Sequence, residues 1–296
     1  MLVNKGTIPV ILILFALASC GGSRKSGKKA DIMPGTWQAL PITIDGDSKD
    51  WPSPYPNYDS KAKIAYATSN DMNYLYVTVE SGDELTQMKI LKAGMTVSID
   101  TGGKKNADFS ITYPMENDND PLDLPTHGSG EKNSAMHTEK MLTRQISKAT
   151  DQAVQLTLAG FYACNGGYAV TQVLPCGIKI KARIDEYKEL IWEAAIPFKA
   201  IYNRDAITAV DAGKHISVCF TLKGLKAPKS QGVDNMNGNS GGSGMGAAGG
   251  QHNSMMGGGG GRGGRSGGGK SPKENPLEQL YTSTKTWKFF GLAVQP

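Results

Sequence analysis

The chain has 296 residues, 32 Lys and Arg against 27 Asp and Glu, and a net charge of +5. Much of that excess sits in two stretches, Arg24 to Lys29 and Arg262 to Lys270. The rest is close to neutral, with no basic stripe on a predicted element, which argues against a nucleic-acid partner. No apolar run reaches the roughly 20 residues that a membrane-spanning helix needs.

At the N-terminus, Lys5 gives a short positive start. Ile8 to Leu17 is an apolar run interrupted only by Pro9, and Leu17-Ala18-Ser19-Cys20 closes it. That length suits the core of a signal peptide. Leu-Ala-Ser-Cys followed by Gly21 resembles the lipobox of bacterial lipoproteins. The resemblance implies that residues 1–19 are removed as a signal peptide and that Cys20 is lipidated, which makes membrane lipid a partner. Several acyl chains anchor almost permanently, each buried CH₂ contributing about 0.8 kcal/mol. Gly21, in place of the Asp that retains enterobacterial lipoproteins in the inner membrane, implies an outer-membrane destination. The absence of an acidic export tag favours its periplasmic face. Residues 20–35 read as a flexible tether, with Arg24, Lys25, Lys28 and Lys29 among small residues.

From Thr36 onward strand signals dominate. Apolar residues recur at every second position in Leu75, Val77, Val79, in Met95, Val97, Ile99, and in Phe109, Ile111, Tyr113. The pattern returns in Ile178 to Ile184, Trp192 to Ile196 and Ile216 to Leu222. Period-two alternation marks half-buried strands with one wet face, the habit of antiparallel sheets. Turn residues such as Ser69-Asn70-Asp71 and Thr101-Gly102-Gly103 separate the runs. Three helical pieces are expected, at Glu84 to Lys92, Asn133 to Lys148 and Pro197 to Tyr202. The fold class is therefore all-β, a two-sheet antiparallel β-sandwich with a few short helices.

Residues 232–269 differ in kind, holding 18 of the 37 glycines and almost nothing to bury. They read as a long disordered insertion. A further strand follows, around Thr286-Trp287-Lys288-Phe289-Phe290, so one β-sandwich domain at 36–296 closes across the insertion.

The order of motifs is informative. Ile44-Asp45-Gly46 leads to Asp50-Trp51-Pro52, then to Asn70-Asp71 with Tyr74-Leu75-Tyr76-Val77, then to Val97-Ser98-Ile99-Asp100-Thr101-Gly102. This series resembles carbohydrate-binding module family 9 and the wider DOMON-like sandwiches, most clearly over Ile44 to Tyr113. The resemblance implies a sandwich that binds sugar or related ligands in some members, and it carries no ligand residues over. Physically, Asp45-Gly46 is a turn pair, and Trp51 suits plugging one end of a sandwich. Asp100 suits accepting N–H groups from the turn after it.

No catalytic constellation is found: His127, His137, His215 and His252 form no metal-spaced pair, and no nucleophile elbow occurs. The reading is not an enzyme. Asp118, Asp120 and Asp123 alternate on an acidic loop in a way that suits structural Ca²⁺, but without the EF-hand pattern, and a solvated loop is favoured. No other cofactor is indicated. Cys164 and Cys176 either close a disulfide across a hairpin or stay two buried thiols, and both remain open at this point. Cys219 reads as a small packed thiol. Tyr55, Tyr58, Tyr74 and Tyr76 are the candidates for stacking on a ligand ring. The chain thus reads as a lipid-anchored envelope protein recognising a saccharide or a partner protein. The alternative is a structural scaffold that displays the Gly-rich loop to an envelope partner. Replacing Cys20 by Ala is expected to move the protein from membrane to soluble fractions on cell fractionation. Continued membrane association at normal expression would contradict lipidation.

Overall fold

The computed structural model describes residues 32–116, 134–226 and 278–295. Cys20, the acidic loop with Asp118, Asp120 and Asp123, and the Gly-rich insertion at 232–269 lie outside them. Twelve strands are present: β1 (Ile32–Met33), β2 (Asn57–Asp59), β3 (Ile64–Asn70), β4 (Tyr74–Ser81), β5 (Met95–Asp100) and β6 (Phe109–Thr112). Then come β7 (Gln155–Phe161), β8 (Cys164–Ala169), β9 (Lys179–Ile184), β10 (Leu190–Pro197), β11 (His215–Leu222) and β12 (Thr284–Gly291), which complete the twelve among the described residues. The helices are α1 (Glu84–Met88), α2 (Ser134–Gln152), α3 (Phe198–Tyr202) and α4 (Glu278–Tyr281).

The strands form two sheets, ordered β1-β12-β11-β5-β6-β7-β8 and β2-β3-β4-β10-β9. Every pair is antiparallel except β1 with β12. The alternation seen in the sequence sets the inner faces. Leu75, Val77 and Val79 of β4 meet Met95, Val97 and Ile99 of β5 and Val218 and Phe220 of β11 in one buried core. Tyr66 packs on Phe220 across the core with ring centroids 5.0 Å apart. The indole of Trp192 donates to the Tyr113 carbonyl at 2.9 Å, and the Tyr113 hydroxyl donates to Ala153 O at 2.9 Å. Large buried rings thus keep their polar tips satisfied.

Two connections bear on the site. Asp83 caps α1, its carboxylate accepting from Thr86 N at 2.9 Å. A turn of π-helix, Lys89–Ala93, then continues into β5. The expected helix at Asn133 to Lys148 is α2, which runs on to Gln152 and buries Leu142, Ile146 and Ala149. Cys164 and Cys176 form a disulfide with Cα atoms 5.5 Å apart, and Cys219 is a buried free thiol.

Ile32 and Met33 pair with Phe289 and Phe290 of β12. Two expectations need correction. Trp51 does not plug an end of the sandwich. It lies on the outer face of the five-stranded sheet, packed with Ile42, Ala67, Tyr76 and Ala195. And β10, whose alternation promised one wet face, is buried at all eight positions.

The two corrections share one cause. A strap of chain, residues 41–55, lies over the outer face, and Glu193 of β10 holds it there. Glu193 Oε2 accepts from Gly46 N at 2.6 Å and Asp45 N at 3.1 Å, while Oε1 accepts from the Trp51 indole at 2.5 Å. Gly46 has φ +80, and a Cβ there would stand 2.7 Å from Arg183 Cβ, so only glycine lets the strap come this close. Burial pushes the Glu193 carboxyl up to about 7, against the pull of the three N–H donors. Replacing Glu193 by Ala leaves those donors unpaired, at about 1–3 kcal/mol for each buried group. Urea unfolding is expected to show a loss of at least about 2 kcal/mol for Glu193→Ala, and a smaller loss for Glu193→Gln, which keeps one acceptor oxygen. Unchanged stability in the alanine variant would contradict this role for the strap.

Candidate functional site

Strand register decides what the strap covers. One row across the outer face runs Ala67, Thr78, Glu193, Lys181, and the next runs Ser69, Tyr76, Ala195, Lys179. Trp51 and Ile42 pack on Ala67, Tyr76 and Ala195 of these two rows. A third row runs Tyr58, Ala65, Glu80, Ile191, Arg183 across all five strands. Here Tyr58 and Arg183 at the two ends are exposed, Ala65 and Glu80 are half-buried, and Ile191 between Glu80 and Arg183 is fully buried. At about 4.8 Å between strands, the row is on the order of 20 Å long.

The Arg183 end of this row opens into a groove of about 660 Å³ between α2 and the turn from β9 to β10. Gly82, Gln87 and Ile146 are among its lining residues, with Glu84, Thr143 and Tyr187. Gly82 leaves room where any side chain would meet Glu189 Oε1 at 3.4 Å. Asp185 builds the turn, accepting from Tyr187 N at 2.9 Å and Glu189 N at 2.8 Å. Buried Gln87 fixes it from below, donating to Ser81 O and to Lys188 O at 2.8 Å each. The tip is therefore a braced platform that carries Tyr187 at 76% exposure.

The electrostatics are negative. Burial, then the nearby carboxylates of Glu189 and Asp185, push Glu80 up to about 7. Arg183 is drawn away from them: its Nε donates to Gly46 O at 3.3 Å and its guanidinium lies 3.7 Å from Asp47. Among the described residues, Glu80, Asp185 and Glu189 make no ion pair, and no group of three or more His, Cys, Asp or Glu is placed to hold a metal ion. A second buried carboxylate is structural. Asp211 is held far below the usual carboxylate range by Arg204 at 2.7 Å and then Lys214 at 2.8 Å.

The four tyrosines singled out from the sequence separate. Tyr58 is 64% exposed and stands at the end of the third row. Tyr55 is half-buried in the strap, its hydroxyl 3.3 Å from Thr78. Tyr74 is half-buried and stacks on Tyr76 at 5.9 Å. Tyr76 is only 2% exposed, packed beneath the strap with its hydroxyl donating to Asp71 at 2.7 Å, so it cannot stack on a ligand. The motif residues hold the fold together. Asp71 also accepts from Asn73 N and Tyr74 N at 2.7 Å, and Asp100 accepts from Gly102, Lys104 and Asn106 N–H groups. Sequence reasoning missed Glu80, Arg183, Tyr187 and Glu189. The one available signal was Asp185-Glu186-Tyr187-Lys188-Glu189, a charged turn with an aromatic at its centre between two alternating strands.

No protein-family model, no curated protein and no solved structure matches the chain.

The raised carboxyls give a pH dependence of definite sign. Glu80 and Glu193 each go from an ordinary 4.5 to about 7 on folding. Their contribution to stability is complete below the unfolded value and is lost as pH rises through the folded one. The thermal midpoint is expected to fall between about pH 5 and about pH 8 from this source, and Glu80→Gln to raise the midpoint at the higher pH and flatten the slope. An unaltered slope in that variant would contradict the assignment.

Proposed function

We propose that the chain is a lipid-anchored, non-catalytic binding module of the cell envelope, which takes a saccharide at the groove beside Arg183 and along the neighbouring row of the five-stranded sheet. The observation that carries this reading is a pair of exposed tyrosines, Tyr58 and Tyr187, one on the first strand of the row and the other on the turn beyond its last. Aromatic rings supply apolar surface for the C–H face of a pyranose, and carboxylates such as Glu80 and Glu189 accept from sugar hydroxyls. The space is of the size that holds a small-molecule ligand. The likeness of the motif series to carbohydrate-binding module family 9 and DOMON-like sandwiches supports the same ligand class. Leu17-Ala18-Ser19-Cys20-Gly21 supports anchoring through Cys20 at the outer membrane, on its periplasmic face.

Affinity is expected to be modest, because two rings offer limited apolar contact and ordering a flexible glycan opposes it. On a glycan array, Tyr58→Ala and Tyr187→Ala are each expected to weaken binding about tenfold, with the thermal midpoint unchanged. Binding that survives both substitutions would move the site elsewhere. Absence of any glycan binding would leave the chain as a scaffold that displays residues 232–269.

A further inference from the structure

Among the described residues the two sheets end on β1, β8, β2 and β9. A bare sheet edge pairs with other chains, and proteins blunt it by shortening the strand or by charging it. β1 has two residues and β2 three, and β9 sets Lys179, Lys181 and Arg183 toward solvent. β8 has neither protection. It runs for six residues, and from Gln152 to Ile178 there is no Asp, Glu, Lys, Arg or His, in a chain that is 20% charged. Its edge is also open at the middle. Val170 N donates to Val154 O across the hairpin, whereas the N–H and C=O of Ala169 turn away from β7 to Gln172. By the same alternation Gly167, exposed and without a side chain, aims its N–H and C=O outward.

Two exposed apolar side chains mark the ends of this edge. Tyr162, 51% exposed, sits in the turn from β7 to β8, which its N–H fixes by donating to Ala200 O at 2.9 Å. Val173, 97% exposed, follows the turn beyond β8, between the Gln172 contacts with Ala169 and buried Leu174. The Cys164–Cys176 disulfide pins that loop to the start of the strand. Within one chain, β8 keeps Tyr162 and Val173 apart. We propose that the chain forms a two-fold dimer by antiparallel pairing of β8 with β8 of a second copy about Gly167. There the N–H of each Gly167 donates to the C=O of the other. Counted from that axis, Tyr162 falls opposite Gln172 of the copy and meets its Val173. The same contact forms at both ends, which is the self-complementarity that a two-fold interface demands. A charge near the axis would meet itself, so a stretch without charge suits this pairing.

Sedimentation equilibrium of the purified full chain in density-matched detergent reads the mass. The chain is expected to run as a dimer at micromolar concentration. Val173→Lys and Tyr162→Glu are each expected to weaken the dimer at least about tenfold, since each sets a charge against an apolar neighbour. Both side chains are exposed, so neither change disturbs the core. A chain that carries both changes brings opposite charges together at each end of the contact. Its dimer is expected to return to within about threefold of the parent. A chain that stays monomeric up to millimolar concentration, or a dimer unmoved by either single change, would overturn the proposal. So would a double variant no tighter than the weaker single one, because the antiparallel pairing is what brings the two positions together.

Discussion

Glu193 is the constraint from which the outer architecture follows. It sits at the middle of β10 on the outward side, the place where an alternating strand ordinarily meets water. A carboxylate there with nothing over it would be a routine solvated charge. Instead the strap brings two backbone N–H groups and an indole to it, and in doing so lays Trp51 and Ile42 over Ala67, Tyr76 and Ala195. The small side chains at Ala67 and Ala195 make the space for the indole. Polar anchor and apolar cover act together: each hydrogen bond fixes the register of the strap, and the packing keeps water from competing for Glu193.

The closure ends at the Arg183 edge of the sheet, where the groove lies. Arg183 links the two regions, since the residue that flanks Gly46 under the strap also borders the groove. Its guanidinium is held toward Gly46 O and Asp47.

The sequence carried the sandwich well. Alternation in Leu75 to Val79, Met95 to Ile99 and Ile216 to Leu222 gave the strands whose inner faces make the core. It did not carry β2, β7 or β8, because Asn57–Asp59 is short and Cys164–Ala169 holds two glycines and little to bury. Periodicity reports which side of a strand is apolar, and says nothing of what covers the other side. That is why Glu193 and Tyr76 read as outward positions and prove buried: the strap that covers them lies about 25 to 150 residues away in sequence, and the local pattern of neither strand depends on it. The site was legible only in part. Tyr58 was among the aromatic candidates, whereas Tyr187 and Glu189 come together with Glu80 only through pairing of β4 with β10.

Amide hydrogen exchange of the intact protein tests the central claim most directly. If the strap is locked by Glu193 as part of the folded core, the amides of Asp45 and Gly46 exchange as slowly as those of β10 and open only with global unfolding. Exchange of these two amides at rates close to those of an unstructured peptide, while β10 stays protected, would contradict the account.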